Sequence, residues 1–228
     1  GKSYRTKIPK GLPDDVEFNP GGLAVVWAEE NSRTSIFNAL KRKEVYGTSG
    51  PRFLVRFFMG ENLGLDLCNS ANAIPYSYEN GVPMGGTLDS NNISNARIFV
   101  SASADQSLDA QFIEKLQVIK GVVRDGMVET SIHDIKSHES SDLDLNSCKV
   151  LGNGVRSMCA VWEDPNFNQG DEAYYYVRVI ANKSCRWSHD LCVKNPQYCE
   201  DENDLNIPKF IRERAWTSPI WLENSKDI

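Results

Sequence analysis

Residues 27–33 read Trp-Ala-Glu-Glu-Asn-Ser-Arg, two adjacent carboxylates followed by an amide and a guanidinium. A carboxylate at Glu29 or Glu30 could position a water or orient a histidine from outside a catalytic centre. The forked guanidinium of Arg33 suits a substrate oxyanion, because it offers parallel N–H donors. Trp27 and Asn31 would then flank the substrate. The same residues have a structural use. Acids ahead of a helix favour the positive end of its dipole, and Trp27 would fill the core.

Cysteine supplies the second cluster. The six are Cys68, Cys148, Cys159, Cys185, Cys192 and Cys199, and an even number in turn-rich surroundings points to disulfides in an oxidising compartment outside the cytoplasm. The expected pairs are Cys148 with Cys159, across the turn "CKVLGNGVRSMC", and two of the last three with each other. Cys185, His189, Cys192 and Cys199 also have the donor types of a three-cysteine, one-histidine zinc site. They lack the paired C-x-x-C spacing, so disulfides are the better account and no metal is assigned to this chain.

Other constellations weaken on inspection. Asp142, Asp144 and Asn146 alternate like the start of a calcium loop, but Ser147 stands where Gly is wanted and Asn153 where the bidentate Glu belongs. The three histidines, His133, His138 and His189, sit in no recognisable nucleophile motif. "GVPMGG" lacks the strand–loop–helix context of a phosphate loop. Trp162, Trp187, Trp216, Trp221, Tyr174 and Tyr176 are either sandwich core or an aromatic face for a glycan.

Composition bounds the partners. The net charge of −6 and the absence of a basic stripe argue against nucleic acid, whose affinity rests on phosphate neutralisation. No stretch has the length of a membrane span.

The elements that must position these groups are mostly strands. Residues 22–28 suggest a short strand, followed by a helix capped at Asn31 or Ser32. Ile36, Phe37 and Leu40 should form its buried face, with an end at Gly47 and the "TSGPR" turn. "RFLVRFF" suggests a strand covered on both sides, and residues 60–95 read as loop. Asp125-Gly126 between β-rich runs predicts a hairpin. "SMCAVWED" and "EAYYYVRVIA" add strands, with Tyr174, Tyr176 and Arg178 sharing a face, and "AWTSPIWL" suggests a final edge strand. The expected fold is mainly β: an antiparallel β-sandwich over 51–228, following a strand–helix remnant of an upstream α/β barrel over 1–50.

Four stretches in order, "GLAVVWAEENSRTSIFNALKRKEVYGTSGPRFLVRFF", "CAVWEDPNF", "AYYYVRVIANKSCRWS" and "IRERAWTSPIWL", carry a resemblance across nearly the whole chain. They are similar to the C-terminal part of the bacterial family called domain of unknown function 3604, related to the PHP (polymerase and histidinol phosphatase) metallo-hydrolases. The resemblance implies a parent protein that is a metal-dependent hydrolase, with phosphate esters as its expected small-molecule substrates. It implies zinc, manganese or iron held by histidines and acids of an N-terminal barrel. In that family one such histidine is expected to close a Ser-Asp-Thr-His-like segment shortly before the Trp-Ala-Glu-Glu-Asn stretch; His133, His138 and His189 of this chain lie in no such motif. The present chain would then carry the last barrel helix and a sandwich, have that barrel as its partner, hold no metal and be inactive alone. The alternative is a non-catalytic sandwich module that binds a glycan or a cell-envelope partner.

Overall fold

A computed structural model describes residues 21–105, 111–124, 126–139, 141–196 and 208–224. The chain opens with β1 (Leu23–Val26), α1 (Arg33–Lys41), β2 (Val45–Thr48) and β3 (Leu54–Gly60). Next come α2 (Ala73–Asn80), β4 (Val82–Pro83), β5 (Thr87–Asp89) and β6 (Arg97–Ser103). A long hairpin, β7 (Ile113–Arg124) and β8 (Met127–Ser137), precedes a short one, β9 (Asp142–Asp144) and β10 (Lys149–Leu151). The last elements are β11 (Ser157–Glu163), β12 (Ala173–Cys185), α3 (Trp187–Lys194), β13 (Phe210–Thr217) and β14 (Ile220–Glu223).

Two sheets make a mainly antiparallel β-sandwich. The larger runs β1-β2-β13-β12-β14-β5, with β7 on the other edge of β12 and β8 beyond it; β14 and β5 are its parallel pair. The smaller runs β11-β6-β3-β4. Alternation sets the core: Tyr175, Val177 and Val179 of β12 share one cluster with Val55, Phe57 and Met59 of β3 and with Ile98 and Val100 of β6. Phe58 and Phe99 point the other way, into a second cluster with Leu63, Leu67 and Ala73. From residue 57 onward β3 is therefore buried on both sides, as its loose alternation predicts, while Leu54 at its start is exposed.

Residues 60–95 contain more structure than their turn-rich composition suggests. α2 lies within them, with Pro75 in its first turn, where the missing N–H has no helical partner to lose. The "TSPIW" segment also differs from the expected edge strand. β13 and β14 lie end to end along one edge of β12, and β2 and β5 cover their far sides. Pro219 falls in the gap, where its carbonyl accepts from the Gly85 N–H at 2.9 Å. Thr217 Oγ1 accepts the Val177 N–H at the same break.

β1 and β2 pair antiparallel, so α1 is the loop of a wide hairpin and not the crossover of a parallel α/β unit. The Trp27 N–H donates to Glu44 O across the mouth of that loop, and β2 pairs on its other side with β13. α1 ends at Lys41, before Gly47, which instead lies within β2; Lys43 takes the left-handed conformation at φ 60° that reverses the chain. The helix buries Ser35 and Ala39, whose small side chains let it sit close. Phe37 and Leu40, expected inside, are exposed at 63% and 54%.

Two disulfides join distant parts: Cys68 with Cys159 and Cys148 with Cys185, at Cα separations of 5.6 and 5.5 Å. The expected Cys148–Cys159 pair is therefore incorrect. Topology is the reason: Cys159 lies on β11 in the smaller sheet, whereas Cys148 lies in the β9–β10 turn packed on β12 of the larger one. Cys192 is also disulfide-bonded. Cys199 and Asp125 lie outside the described residues.

Candidate functional site

The 27–33 loop is held rigid from beneath. Trp27 packs against the main core, donates Nε1–H to Val55 O at 2.9 Å, and carries the Arg56 guanidinium 3.4 Å above its ring. Ser32 caps α1 by accepting the Ser35 N–H. Glu29 accepts the Ser35 hydroxyl at 2.7 Å and pairs with Arg42 at 3.0 Å. The Ser35 hydrogen bond, followed by lesser contributions including Arg42, holds the Glu29 carboxyl below its ordinary range. Glu30, Asn31 and Arg33 are exposed, and their side chains make no hydrogen bond or ion pair among the described residues.

The charge centre beneath this loop is one that sequence reasoning missed. Glu44 is 2% exposed and accepts from Arg42 Nε at 2.8 Å and from the Tyr78 hydroxyl, with Arg56 3.6 Å away. Burial and then the Glu44 hydrogen bond push the Tyr78 hydroxyl up to about 12, so it donates. Arg42 also donates to Trp27 O, which ties the network to the loop. Glu44 reads in sequence as one more charge in "KRKEVY", with no signal of its burial.

Arg33, Phe37 and Leu40 are spaced by four and three residues, so they share one stripe of α1. That stripe is the exposed one. A cation and two large apolar groups thus stand together beside Glu30 and Asn31.

The outer face of the larger sheet carries an aromatic row. Tyr174 and Tyr176 stack at 6.5 Å and 16°, and Trp221 lies 5.6 Å from Tyr174. Trp216 and Trp221 are exposed at 37% and 39%. Gly121 on β7 lies opposite Tyr174, and a Cβ there would collide with the tyrosine ring. The absent side chain lets the ring lie down over the neighbouring strand. Trp162 instead packs on His133, and Trp187 lies beneath Arg186.

A polar cleft of about 500 Å³ opens beside β8, lined by Lys120, Arg124, Ser131, His133 and the 165–168 loop. Ser131 Oγ and His133 Nε2 are 2.9 Å apart. The adjacent Asp134 completes no triad, because Lys115 and Gln117 occupy its two oxygens. Asp144, in the suspected calcium loop, accepts from Asn146 N and Ser147 Oγ and so closes a turn.

Metal-ligand geometry is narrow. Among the described residues, one group of three donors comes together, Cys148, Cys185 and His189, and two of these are joined in a disulfide. The acids of the 27–33 loop converge with no histidine, so the described residues do not fit a hydrolase metal centre.

Fold and site together define a two-sheet antiparallel sandwich whose hairpin edge carries a braced, solvent-facing acidic loop and helix. The chain belongs to the family described as "Protein of unknown function (DUF3604)", which matches residues 5–224. No curated protein and no solved structure matches it.

Proposed function

We propose that this chain is the C-terminal portion of a PHP-like metal-dependent hydrolase, a phosphoesterase whose zinc, manganese or iron is held by an upstream barrel. Its sandwich braces that barrel, and Glu30, Asn31 and Arg33 approach the substrate side of the cleft. The observation that carries this reading is the exposed Arg33–Phe37–Leu40 stripe on a loop fixed through Trp27, Glu29 and Glu44. Apolar side chains this exposed on a short helix suit a contact surface, and the cation beside them suits a phosphate oxygen. In the intact protein, Arg33→Ala should lower kcat/KM for an aryl phosphate by at least about tenfold, the size of one lost charge-assisted hydrogen bond. Its melting temperature should not change. Unaltered kinetics would remove Arg33 from the site.

The second reading is a non-catalytic module for a glycan or cell-envelope partner. The stacked Tyr174 and Tyr176 beside exposed Trp221 support it, since flat aromatic faces pack against sugar rings. The disulfides agree with a location outside the cytoplasm in either case.

A further inference from the structure

We propose that Cys148, Cys185 and His189 are the oxidised form of a soft-metal site, which binds one zinc-class ion once the disulfide is reduced. The inference is independent of the hydrolase reading. One donor atom from each residue lies within 4.8 Å of the other two. Donors around a tetrahedral zinc sit about 3.5 Å apart, given Zn–S near 2.3 Å and Zn–N near 2.1 Å. Closing on an ion therefore takes side-chain rotation, with no rearrangement of strands.

Contacts other than the disulfide also hold the three groups together. Cys148 lies in the β9–β10 turn, and His189 Nε2 lies 2.9 Å from the carbonyl oxygen of Leu145 in that same turn. A carbonyl can only accept, so Nε2 carries a proton, and Nδ1 is the nitrogen left to bind an ion. Metal-bound histidines are oriented in this way, with the second nitrogen donating to a carbonyl. Cys185 ends β12, and the chain from there to His189 is pinned where the Arg186 N–H donates to Lys209 O and Arg186 Nη1 to Ser188 Oγ. His189 itself is 8% exposed, so its ring has a fixed place.

The chemistry balances with a dithiol as reductant. The dithiol gives two electrons and two protons to the Cys148–Cys185 bond and leaves as its own cyclic disulfide. Both cysteines are then thiols. On binding the divalent ion they release two protons, and two thiolates with one neutral imidazole surround it. Three protein donors leave the fourth tetrahedral position open, the arrangement of reactive zinc sites rather than closed structural ones.

The test uses the whole chain, reduced with a dithiol, desalted without oxygen, and titrated with Zn²⁺ against a chromophoric chelator. Co²⁺ replaces zinc in a parallel titration to report thiolate ligation by its charge-transfer band. The reduced chain should take up one ion, the oxidised chain none, and the Cys68→Ser/Cys159→Ser variant should still take up one. His189→Ala, in which the disulfide still forms, should weaken zinc binding by at least about tenfold. Near-ultraviolet circular dichroism establishes that each reduced sample is folded. The proposal is overturned by no uptake in the reduced chain, by equal uptake in Cys148→Ser/Cys185→Ser, or by unchanged affinity in His189→Ala.

Discussion

Lys120 Nζ lies 2.6 Å from Asp164 Oδ2 inside the sandwich, and both side chains are almost wholly removed from solvent. The same carboxylate oxygen accepts the Tyr175 hydroxyl at 2.7 Å, and Lys120 donates again to Asn166 O. Lys120 and Tyr175 are opposite one another on β7 and β12, while Asp164 follows β11 in the other sheet. One ion pair thus fastens the two sheets at the mouth of the polar cleft. Burial and Asp164 raise the pKa of the tyrosine hydroxyl, so it remains a donor.

Asp164→Ala should be strongly destabilising, because it strands a buried ammonium and a buried hydroxyl. Loss of one partner of a buried pair costs about 3–5 kcal/mol. Urea denaturation of the variant checks this; a loss under ~1 kcal/mol would show the pair to be dispensable.

The same pair sets an acid dependence. Burial alone would raise the Asp164 pKa, but Lys120, Tyr175 and the Asn166 N–H outweigh it and hold the carboxyl below its ordinary range. A carboxylate depressed in the folded state adds stability above its unfolded value and loses it as pH falls through the folded one. Stability should therefore fall with acid below about pH 4, and Asp164→Asn should flatten that limb. Denaturation midpoints across pH 2–6 measure it; parallel curves for variant and parent would contradict it.

The hairpin β7–β8 was legible because Asp125-Gly126 dictates a tight turn and the flanking runs are rich in β-formers; Gly126 adopts φ 76° there. α1 was legible as a helix from Ser32 and its periodicity, yet the buried face was not. Ile36, Phe37 and Leu40 make the apolar pattern, while the contact with the sheet is made by Ser35 and Ala39, whose value is closeness rather than hydrophobicity. Glu44 was hidden for another reason. Its burial depends on Arg56 and Tyr78, which reach it from β3 and α2, and no local spacing encodes that meeting. The even cysteine count correctly pointed to disulfides, but the Cys148–Cys159 pairing was not legible, since Cys159 and Cys148 belong to different sheets despite their closeness along the chain.

The isolated chain should self-associate through α1. Phe37→Ser with Leu40→Ser should lower the association constant at least about tenfold, since each side chain removes well over 1 kcal/mol of apolar burial. Sedimentation velocity over a concentration series decides it. A monomer at all concentrations would show that the stripe is not adhesive in this chain.

Gly121→Val should destabilise the larger sheet by roughly 1–3 kcal/mol, because the new side chain displaces the Tyr174 ring from over β7. Under the glycan reading it should also abolish binding to soluble β-glucan, as should Trp221→Ala. Glycan titrations monitored by tryptophan fluorescence measure both. Parent protein that shows no fluorescence change with any glycan would remove the second reading.

The measurement that bears most directly on the proposed function is hydrolysis of an aryl phosphate by the intact protein before and after metal removal. Turnover should be lost on chelation and restored by zinc, manganese or iron. Absence of turnover in metal-replete protein, or turnover indifferent to chelation, would contradict it.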